Sequence, residues 1–273
     1  MQREDLDFFR KWFFEYTSRF FSPDSFVQEN IELKIEHTGR VCENILLIAK
    51  SENLSENECI LAETIALFHD LGRFEQFTKY KTYSDSESEN HAVLSVKILN
   101  REKVLSCLSE EEENLILKAV EYHNLMEIPK NIEKQSKLNF YSRLIRDADK
   151  IDILRLACEE YAAEGKSLNP ALELYLPDTR GYSEPIVSEI LNNRMAKIED
   201  MKNRNDIKLL RLSWVFDINF PATFSLIKKY GYLEEIMSVL PDIKETSLLR
   251  RHLENYLNLI ENGAREDRSI LKL

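Results

Sequence analysis

In the stretch IALFHDLGRFEQF, residues 65–77, an apolar segment is followed directly by a histidine and an aspartate. Such a segment is expected to be buried, and burying the side chains of His69 and Asp70 costs free energy unless something binds them. The identity of that binding partner depends on which other residues can reach the doublet. The histidines are the first candidates for such residues, because the chain contains only five of them.

Four histidines lie on, or at the end of, an apolar face with helical spacing: His37, His69, His91 and His123. Taken singly, an interior histidine is more often hydrogen-bonded to a carbonyl oxygen than bound to a metal. Four together are better explained by convergence on a transition metal, which neutral imidazole nitrogens bind. The carboxylates of Asp70 and Asp149 would compensate the charge of the metal. The pattern therefore predicts a metal centre.

The elements that carry these residues are predicted to be helices. The first of the four histidines falls within a helix over residues 27–50, on one apolar face with Val41. A capping box formed by Ser55 and Glu58 begins a second helix, which should run through the doublet region and end at Gly72. The histidine of the doublet therefore lies at the C-terminal end of a helix.

Residues 74–88 have no helical period, and we predict that they form a loop leaving the doublet. Such a loop is well placed to touch a substrate. Further helices are predicted to begin near Ser88 or Asn90, at a capping box of Ser109 and Glu112, and at residue 137, with the last running to residue 165.

An aromatic stripe with helical spacing lies near the N-terminus, formed by Phe9, Trp12, Phe13, Tyr16 and Phe20. Such a face can bind a membrane surface or a partner protein. Packing into the core is the commoner use, and it is the interpretation that we adopt. Charged residues interrupt this segment every few positions, so we expect neither a signal peptide nor a membrane span.

Composition limits the function classes. The 273 residues are 43% hydrophobic and include six glycines and seven prolines, which together with the recurrent helical spacing predicts an all-α fold. A formal net charge of −11 argues against a nucleic-acid polymer as the main partner. The cysteines form no CxxC pair and are expected to be reduced thiols of a cytoplasmic protein; they are Cys42, Cys59, Cys107 and Cys158.

The order of these residues resembles the HD-domain metal-dependent phosphohydrolases, an all-helical superfamily named for its His-Asp doublet. The resemblance covers roughly residues 30–160, and it matches His37, the doublet His69-Asp70, His91 in NHAVLSVKIL, His123 in AVEYHN and Asp149 in RDADKID. It implies a helical bundle in which the first histidine, the doublet and the late aspartate hold one metal. It further implies that the two middle histidines hold a second metal, with Asp70 as the bridge.

The segment RDADKID offers three aspartates for the last ligand. Two residues of helix rotate the chain by about 200°, so Asp147 and Asp149 cannot point the same way. The resemblance favours Asp149, because the ligand of the family stands just before a basic residue, and it implies that Lys150 acts on substrate phosphate. We interpret Asp147 as a helix-surface charge paired with neighbouring basic residues, an arrangement that contributes little stability.

Two metal ions about 3.5–4 Å apart can hold a hydroxide and neutralise the charge on an attacked phosphate, so no serine or cysteine nucleophile is needed. The implied cofactor is one or two divalent transition-metal ions of Mn, Fe, Co or Ni. Cationic residues need only position the substrate. The expected catalytic residues are Asp70, His69, Lys150 and Arg73, whereas Lys34, Lys79 and Lys81 are weaker candidates because surface lysines are usually only solvated.

The leading functional hypothesis is a metal-dependent phosphohydrolase, either a phosphomonoesterase or a phosphodiesterase, that acts on a small phosphorylated metabolite. The resemblance favours a nucleotide or a nucleotide-derived messenger. Two alternatives stay open: a di-iron oxygenase, since a minority of the superfamily activates dioxygen with the same ligand set, and a non-catalytic metal-binding regulatory module.

We expect two regions along the chain. Residues 1–165 are predicted to form the metal-binding helical domain, and residues 166–273 a helical extension packed on it. The extension would by default enlarge the core, and covering the metal site or forming an oligomer surface are the alternatives.

Overall fold

The computed structural model describes residues 1–163 and 169–261, and these residues contain helices, turns and irregular segments but no strand. This confirms the all-α prediction. The α-helices are α1 (Arg3–Thr17), α2 (Ser25–Ser51), α3 (Glu56–Phe68), α4 (Gly72–Tyr80), α5 (His91–Arg101), α6 (Glu110–Tyr122), α7 (Lys137–Ala162), α8 (Glu184–Leu191), α9 (Arg204–Ser213), α10 (Pro221–Tyr230), α11 (Tyr232–Ser238) and α12 (Lys244–Glu261). None of these described helices has the length and apolar character that crossing a membrane requires.

The chain folds as two compact units. The first unit consists of Met1–Ile153 and Asn219–Leu226, and the second of Leu154–Ile218 and Ile227–Leu273. A short segment from late in the chain therefore belongs to the unit that contains the His-Asp doublet. The domain boundary near residue 165, and the packing of the C-terminal region on the first domain, stay predictions.

The N-terminal aromatic stripe lies in the core of the first unit. Phe9, Phe13 and Tyr16 are at most 6% exposed. The ring of Phe9 meets that of Phe68 edge-on at a centroid distance of 5.5 Å, and Phe13 meets Phe74 in the same way at 5.8 Å. This burial confirms the core-packing interpretation. Because Phe68 directly precedes the doublet, α1 also supports the end of the helix that delivers it.

Most predicted helix starts agree with the structure. The capping box of Ser55 and Glu58 begins α3. Asn90 caps α5 by accepting a hydrogen bond from the backbone amide of Val93, and Ser109 caps α6 in the same way. These side chains satisfy amides that the first turn of a helix leaves without partners.

Two predictions around the doublet are wrong. The helix α3 ends at Phe68 rather than at Gly72, which instead begins α4. Residues 74–80 of the expected loop therefore belong to a helix, and the irregular segment covers only residues 81–90, within which Asp85–Glu87 form a short 3₁₀ turn. The reason is a short apolar repeat: Phe74 and Phe77 are spaced by three and are both fully buried.

Gly72 is required by a close approach of α4 to α5. A Cβ atom at this position would lie 2.3 Å from the carbonyl oxygen of His91 and 2.8 Å from the backbone nitrogen of Ser95. The amide of Gly72 donates to Ser95 Oγ at 2.7 Å, and that hydroxyl also lies 3.1 Å from the carbonyl oxygen of His69. The missing side chain thus lets the doublet turn sit directly against the start of α5.

The second unit has its own buried polar framework. The Asp206 carboxylate accepts hydrogen bonds from the amide and hydroxyl of Ser183, each at 2.7 Å, at the N-terminus of α9. On the same helix Arg211 is buried, pairs with Glu173 at 3.2 Å, and lies over the ring of Tyr161. These charges are paired or hydrogen-bonded, as burial requires.

We predict that Gly72→Ala destabilises the protein, because the added methyl group meets backbone atoms that cannot move without separating α4 from α5. Overpacking of this kind costs about 1–3 kcal/mol, and it should appear as a lower unfolding temperature and a lower urea midpoint. Gly39→Ala is the matched control, since Gly39 lies inside α2 with nothing within 4 Å of the added carbon. The control should be stabilised by about 0.5–1 kcal/mol, and equal effects of the two substitutions would contradict the packing argument.

Candidate metal centre

The structure brings together the six side chains that the sequence analysis assigned to the metal. They come from the middle of α2 (His37), the turn after α3 (His69 and Asp70), the first residue of α5 (His91), the residue after α6 (His123) and α7 (Asp149). Their ligand atoms form overlapping groups in which all atoms lie within 4.8 Å of one another. Five separate segments therefore deliver polar atoms to one small volume.

The four histidines form two pairs. The Nε2 atoms of His37 and His69 are 3.3 Å apart, and we call these residues the first histidine pair. The Nε2 atoms of His91 and His123, the second histidine pair, are 3.1 Å apart. All four residues are at most 5% exposed. Each pair thus offers two imidazole nitrogens at one buried point.

The carboxylate of Asp70 lies between the two pairs. Its Oδ2 atom is 3.5 Å from Nε2 of His37 and 3.7 Å from that of His69. Its Oδ1 atom is 3.3 Å from Nε2 of His91 and 3.8 Å from that of His123. One oxygen therefore faces each pair, which is the arrangement that a carboxylate shared between two cations would need.

Asp149 joins the first histidine pair. Its Oδ1 atom is 3.2 Å from Nε2 of His37 and 3.6 Å from Nε2 of His69. This oxygen is buried and forms no hydrogen bond of ordinary geometry within the described residues, so its close polar neighbours are these two imidazole nitrogens. A buried carboxylate oxygen without a partner is costly, so it identifies a place where a cation would be stabilised.

The outer nitrogen of every imidazole in the two pairs faces an oxygen atom. The Nδ1 atoms of His37, His69, His91 and His123 lie 2.7–2.9 Å from Asp152 Oδ2, the Ala66 carbonyl, the Asp85 carboxylate and the Val120 carbonyl, respectively. Because these oxygens are acceptors, each Nδ1 must carry the proton, and in a neutral ring Nε2 then presents a lone pair to the centre. Lone pairs and carboxylates that face one another fit a divalent transition metal.

Helix ends explain the support of two of these histidines. His69 follows α3 and His123 follows α6, and each hydrogen-bonds through Nδ1 to the carbonyl three residues earlier, at 2.7 Å. Carbonyls in the last turn of a helix have no intrahelical partner. A histidine placed there satisfies one of them and has its ring orientation fixed by its own helix.

Protonation differs between the two pairs. Burial lowers the pKa of His123, and the neighbouring imidazoles lower it further, to about 3. Burial and the Lys34 cation likewise oppose a charge on His37, but the surrounding carboxylates of Asp149, Asp152 and Asp70 outweigh them and raise its pKa to about 9. The pKa of Asp70 stays well below its usual range despite burial, because of cations such as Lys34. At neutral pH the first histidine pair therefore holds a proton that the second pair lacks.

The structure corrects the interpretation of Asp147 as a surface charge. Its side chain is fully buried, and its Oδ2 atom accepts hydrogen bonds from the backbone amides of Asn219 and Phe220, both at 2.9 Å. Burial raises the pKa of this carboxyl above its ordinary value. Asp147 therefore anchors the late segment of the first unit, while Asp149, two residues on, faces the histidines.

Two predicted cationic residues lie against Asp70. Lys34 Nζ donates a hydrogen bond to Asp70 Oδ2 at 2.7 Å. Arg73 Nε is 3.5 Å from Asp70 Oδ1, and its Nη1 atom donates to the Tyr83 carbonyl at 2.7 Å and to Asp85 at 3.1 Å. Lys34, a weaker candidate from the sequence, therefore contacts Asp70 directly.

The remaining predicted cations have different surroundings. Lys150 is buried and directly follows Asp149 on α7. Lys79 is exposed and pairs with Glu89 at 3.2 Å, and Lys81 is exposed and donates to the carbonyl oxygen of Thr78. Of these three, only Lys150 is buried beside a residue of the cluster.

Two carboxylates that contact the cluster were not identified as site residues from the sequence. Asp152 hydrogen-bonds to His37, and its position three residues after Asp149 places it near the same face of α7, which is the signal that could have found it. Asp85 contacts His91 from the irregular segment between α4 and α5, where no periodic pattern indicates the direction of a side chain.

Comparison with known protein families gives a match over part of the chain. Residues 35–154 match the family model described as HD domain. This interval contains all six clustered residues. Neither the curated proteins nor the solved structures include a significant match to the chain.

We predict that metal binding to the metal-free protein releases a proton below pH 9. His37 holds that proton on its inner nitrogen, so the metal must displace it, and the apparent affinity should rise roughly tenfold per pH unit between pH 7 and 8. Calorimetric titration with Mn²⁺ in two buffers of different ionisation enthalpy measures the number of protons released. A value near zero at pH 7.5 would contradict the charge assigned to His37.

Proposed function

We propose that this chain, whose residues 35–154 match the HD-domain family model, is a metal-dependent phosphohydrolase that cleaves a phosphoester of a small phosphorylated metabolite. The observation that carries the proposal is the position of Asp70, with one carboxylate oxygen toward each histidine pair. Such an arrangement supports the binding of two divalent ions, for which Mn, Fe, Co and Ni are the candidates.

The six clustered residues would hold the metal. His37, His69 and Asp149 would serve one ion, and His91 and His123 the other, with Asp70 common to both. Divalent ions in such a site lower the pKa of water and offset the charge that develops on an attacked phosphoryl group.

Cationic side chains around the cluster support an anionic substrate. Lys34 and Arg73 contact opposite oxygens of Asp70 and lie over the same ring, that of Tyr83, at 5.2 and 5.7 Å. Lys150 would contribute a third positive charge from α7. In a protein with a net charge of −11, such local cations are needed to attract a phosphate group.

The four cysteines, all of which lie within the described residues, have thiols whose pKa is raised, so none is an activated nucleophile. Cys42 is buried next to Glu63, and burial raises the pKa of its thiol. Burial also raises the pKa of Cys158 to about 12. Since a thiolate and not a thiol is the attacking species, neither residue suits covalent catalysis at neutral pH. This favours a route that depends on the metal ligands.

We further propose a nucleotide or a nucleotide-derived messenger as the substrate class, on the resemblance to HD-domain phosphohydrolases. We also propose a cytoplasmic location, which the four free cysteines support.

The decisive experiment combines metal analysis with a substrate screen. Protein purified without chelator should contain more than one equivalent of transition metal per chain, and with Mn²⁺ it should hydrolyse at least one generic phosphoester or nucleotide. A folded protein that holds no metal and does not respond to added Mn²⁺ would rule out the proposal. Oxygen uptake by the iron-loaded protein, without phosphoester hydrolysis, would favour the oxygenase alternative instead.

Replacing the shared carboxylate tests the role of Asp70. We predict that Asp70→Asn lowers phosphoester hydrolysis at least ~100-fold, the scale of losing a main electrostatic stabiliser. Metal content should fall, while helical content by circular dichroism should stay close to wild type. Asp149→Asn should lose metal as well.

Asp147→Asn is the matched control, because it makes the same chemical change on the same helix but away from the cluster. It should keep metal and turnover while unfolding at a lower temperature, since it weakens the acceptor for two backbone amides. Normal hydrolysis by Asp70→Asn would exclude the mechanism. If Asp149→Asn were active and Asp147→Asn inactive, the metal ligand would be Asp147 and not Asp149.

A further inference from the structure

We propose that two carboxylates outside the six-residue cluster are positioning residues for separate metal positions: Asp152 for the first histidine pair and Asp85 for the second. This inference rests on the proposed function, because it assumes that the cluster binds two metal ions. The family match says nothing of these two residues, and the inference is that each of them controls the occupancy of one metal position.

Asp152 fixes the ring of His37. Its Oδ2 atom lies 2.7 Å from His37 Nδ1, and both side chains are fully buried. The carboxylate is held in turn by Arg40, whose Nε and Nη2 atoms donate to Oδ1 at 2.7 Å and to Oδ2 at 3.3 Å. A carboxylate on the outer nitrogen orients the ring and increases the basicity of the inner nitrogen.

Asp85 fixes the ring of His91 in the equivalent way. Its Oδ2 and Oδ1 atoms lie 2.8 and 2.9 Å from His91 Nδ1. Gln76 and Arg73, both on α4, donate to Asp85 Oδ1 at 2.9 and 3.1 Å. Asn124 donates to Asp85 Oδ2 at 3.1 Å.

The contact with Asn124 extends the influence of Asp85 to the other histidine of the second pair. Asn124 directly follows His123, and its amide group also donates to Asn90, the residue that caps α5. Asp85 and Asn124 therefore join the end of α6 to the start of α5. The two helix ends that carry the second histidine pair are held at a fixed separation by these side chains.

The other two histidines of the pairs are not oriented by a side chain. His69 and His123 are oriented by carbonyls of their own helices, those of Ala66 and Val120. Each pair therefore contains one histidine fixed by the backbone and one fixed by a carboxylate. Because a backbone carbonyl cannot be removed by substitution, the carboxylate is the partner of an outer nitrogen that a variant can remove in each pair.

Metal stoichiometry and affinity of single variants test the assignment. By equilibrium dialysis against Mn²⁺, wild type should bind two equivalents. Asp85→Asn and Asp152→Asn should each bind one equivalent with wild-type affinity and the other 10–100-fold more weakly, the usual effect of losing such a partner. Helical content by circular dichroism should be unchanged. Glu87→Gln is the matched control, because Glu87 is exposed on the same short turn as Asp85, and it should bind metal like wild type.

Double variants show which position each carboxylate serves. Adding Asp85→Asn to His91→Ala should cause no further loss of metal, since both changes affect the second pair, whereas adding it to His37→Ala should remove both ions. Asp152→Asn should behave in the reverse manner. This reversal would not arise from a general loss of stability.

Distinct results separate failure of this inference from failure of the proposed function. A wild-type protein that binds no metal overturns both. A wild-type protein that binds metal, combined with Asp85→Asn that keeps two equivalents at wild-type affinity, overturns the inference alone. Loss of both ions in Asp85→Asn together with reduced helical content also overturns it, because the residue would then be only structural.

Discussion

The carboxylate of Asp70 is surrounded by four imidazoles and two cationic side chains, and the first unit must keep this group ionised without bulk water around it. A buried charge is tolerated only with close compensation. Lys34 and Arg73 provide part of it, and the lone pairs that converge on the same volume leave room for the rest to come from bound cations. Because the compensating groups come from different helices, the relative positions of those helices are restricted by electrostatics as well as by apolar packing.

Packing around the doublet fixes the positions of the neighbouring helices. The turn between α3 and α4 is pressed against α5 where Gly72 has no side chain, and the hydroxyl of Ser95 accepts from its amide. Aromatic rings of α1 pack against Phe68 at the apolar end of α3. The doublet is therefore held by backbone contacts at Gly72 and by ring packing at Phe68, which keeps a costly pair of polar side chains in one conformation.

The sequence predicted the helical class, most helix starts and the histidines that converge, because each of these has a local signal: an apolar period, a capping side chain or a residue type that is rarely buried alone. It failed where the deciding contact is distant. Gly72 suggested a helix end, yet its role depends on the carbonyl of His91. Asp147 looked like a surface charge because its donors lie on a segment far along the chain. Asp85 lies in an irregular segment, so only the folded chain reveals its contact with His91.

The amides of Asn219 and Phe220 reach Asp147 across 72 and 73 residues of chain. During synthesis, α7 is therefore completed well before the groups that satisfy its buried carboxylate emerge. Contacts of such sequence separation are entropically slow to form. A polypeptide that stopped before residue 219 would retain every histidine of the cluster but bury Asp147 without these donors. The interval of the family match, residues 35–154, therefore includes a buried carboxylate but leaves out the two amides that satisfy it.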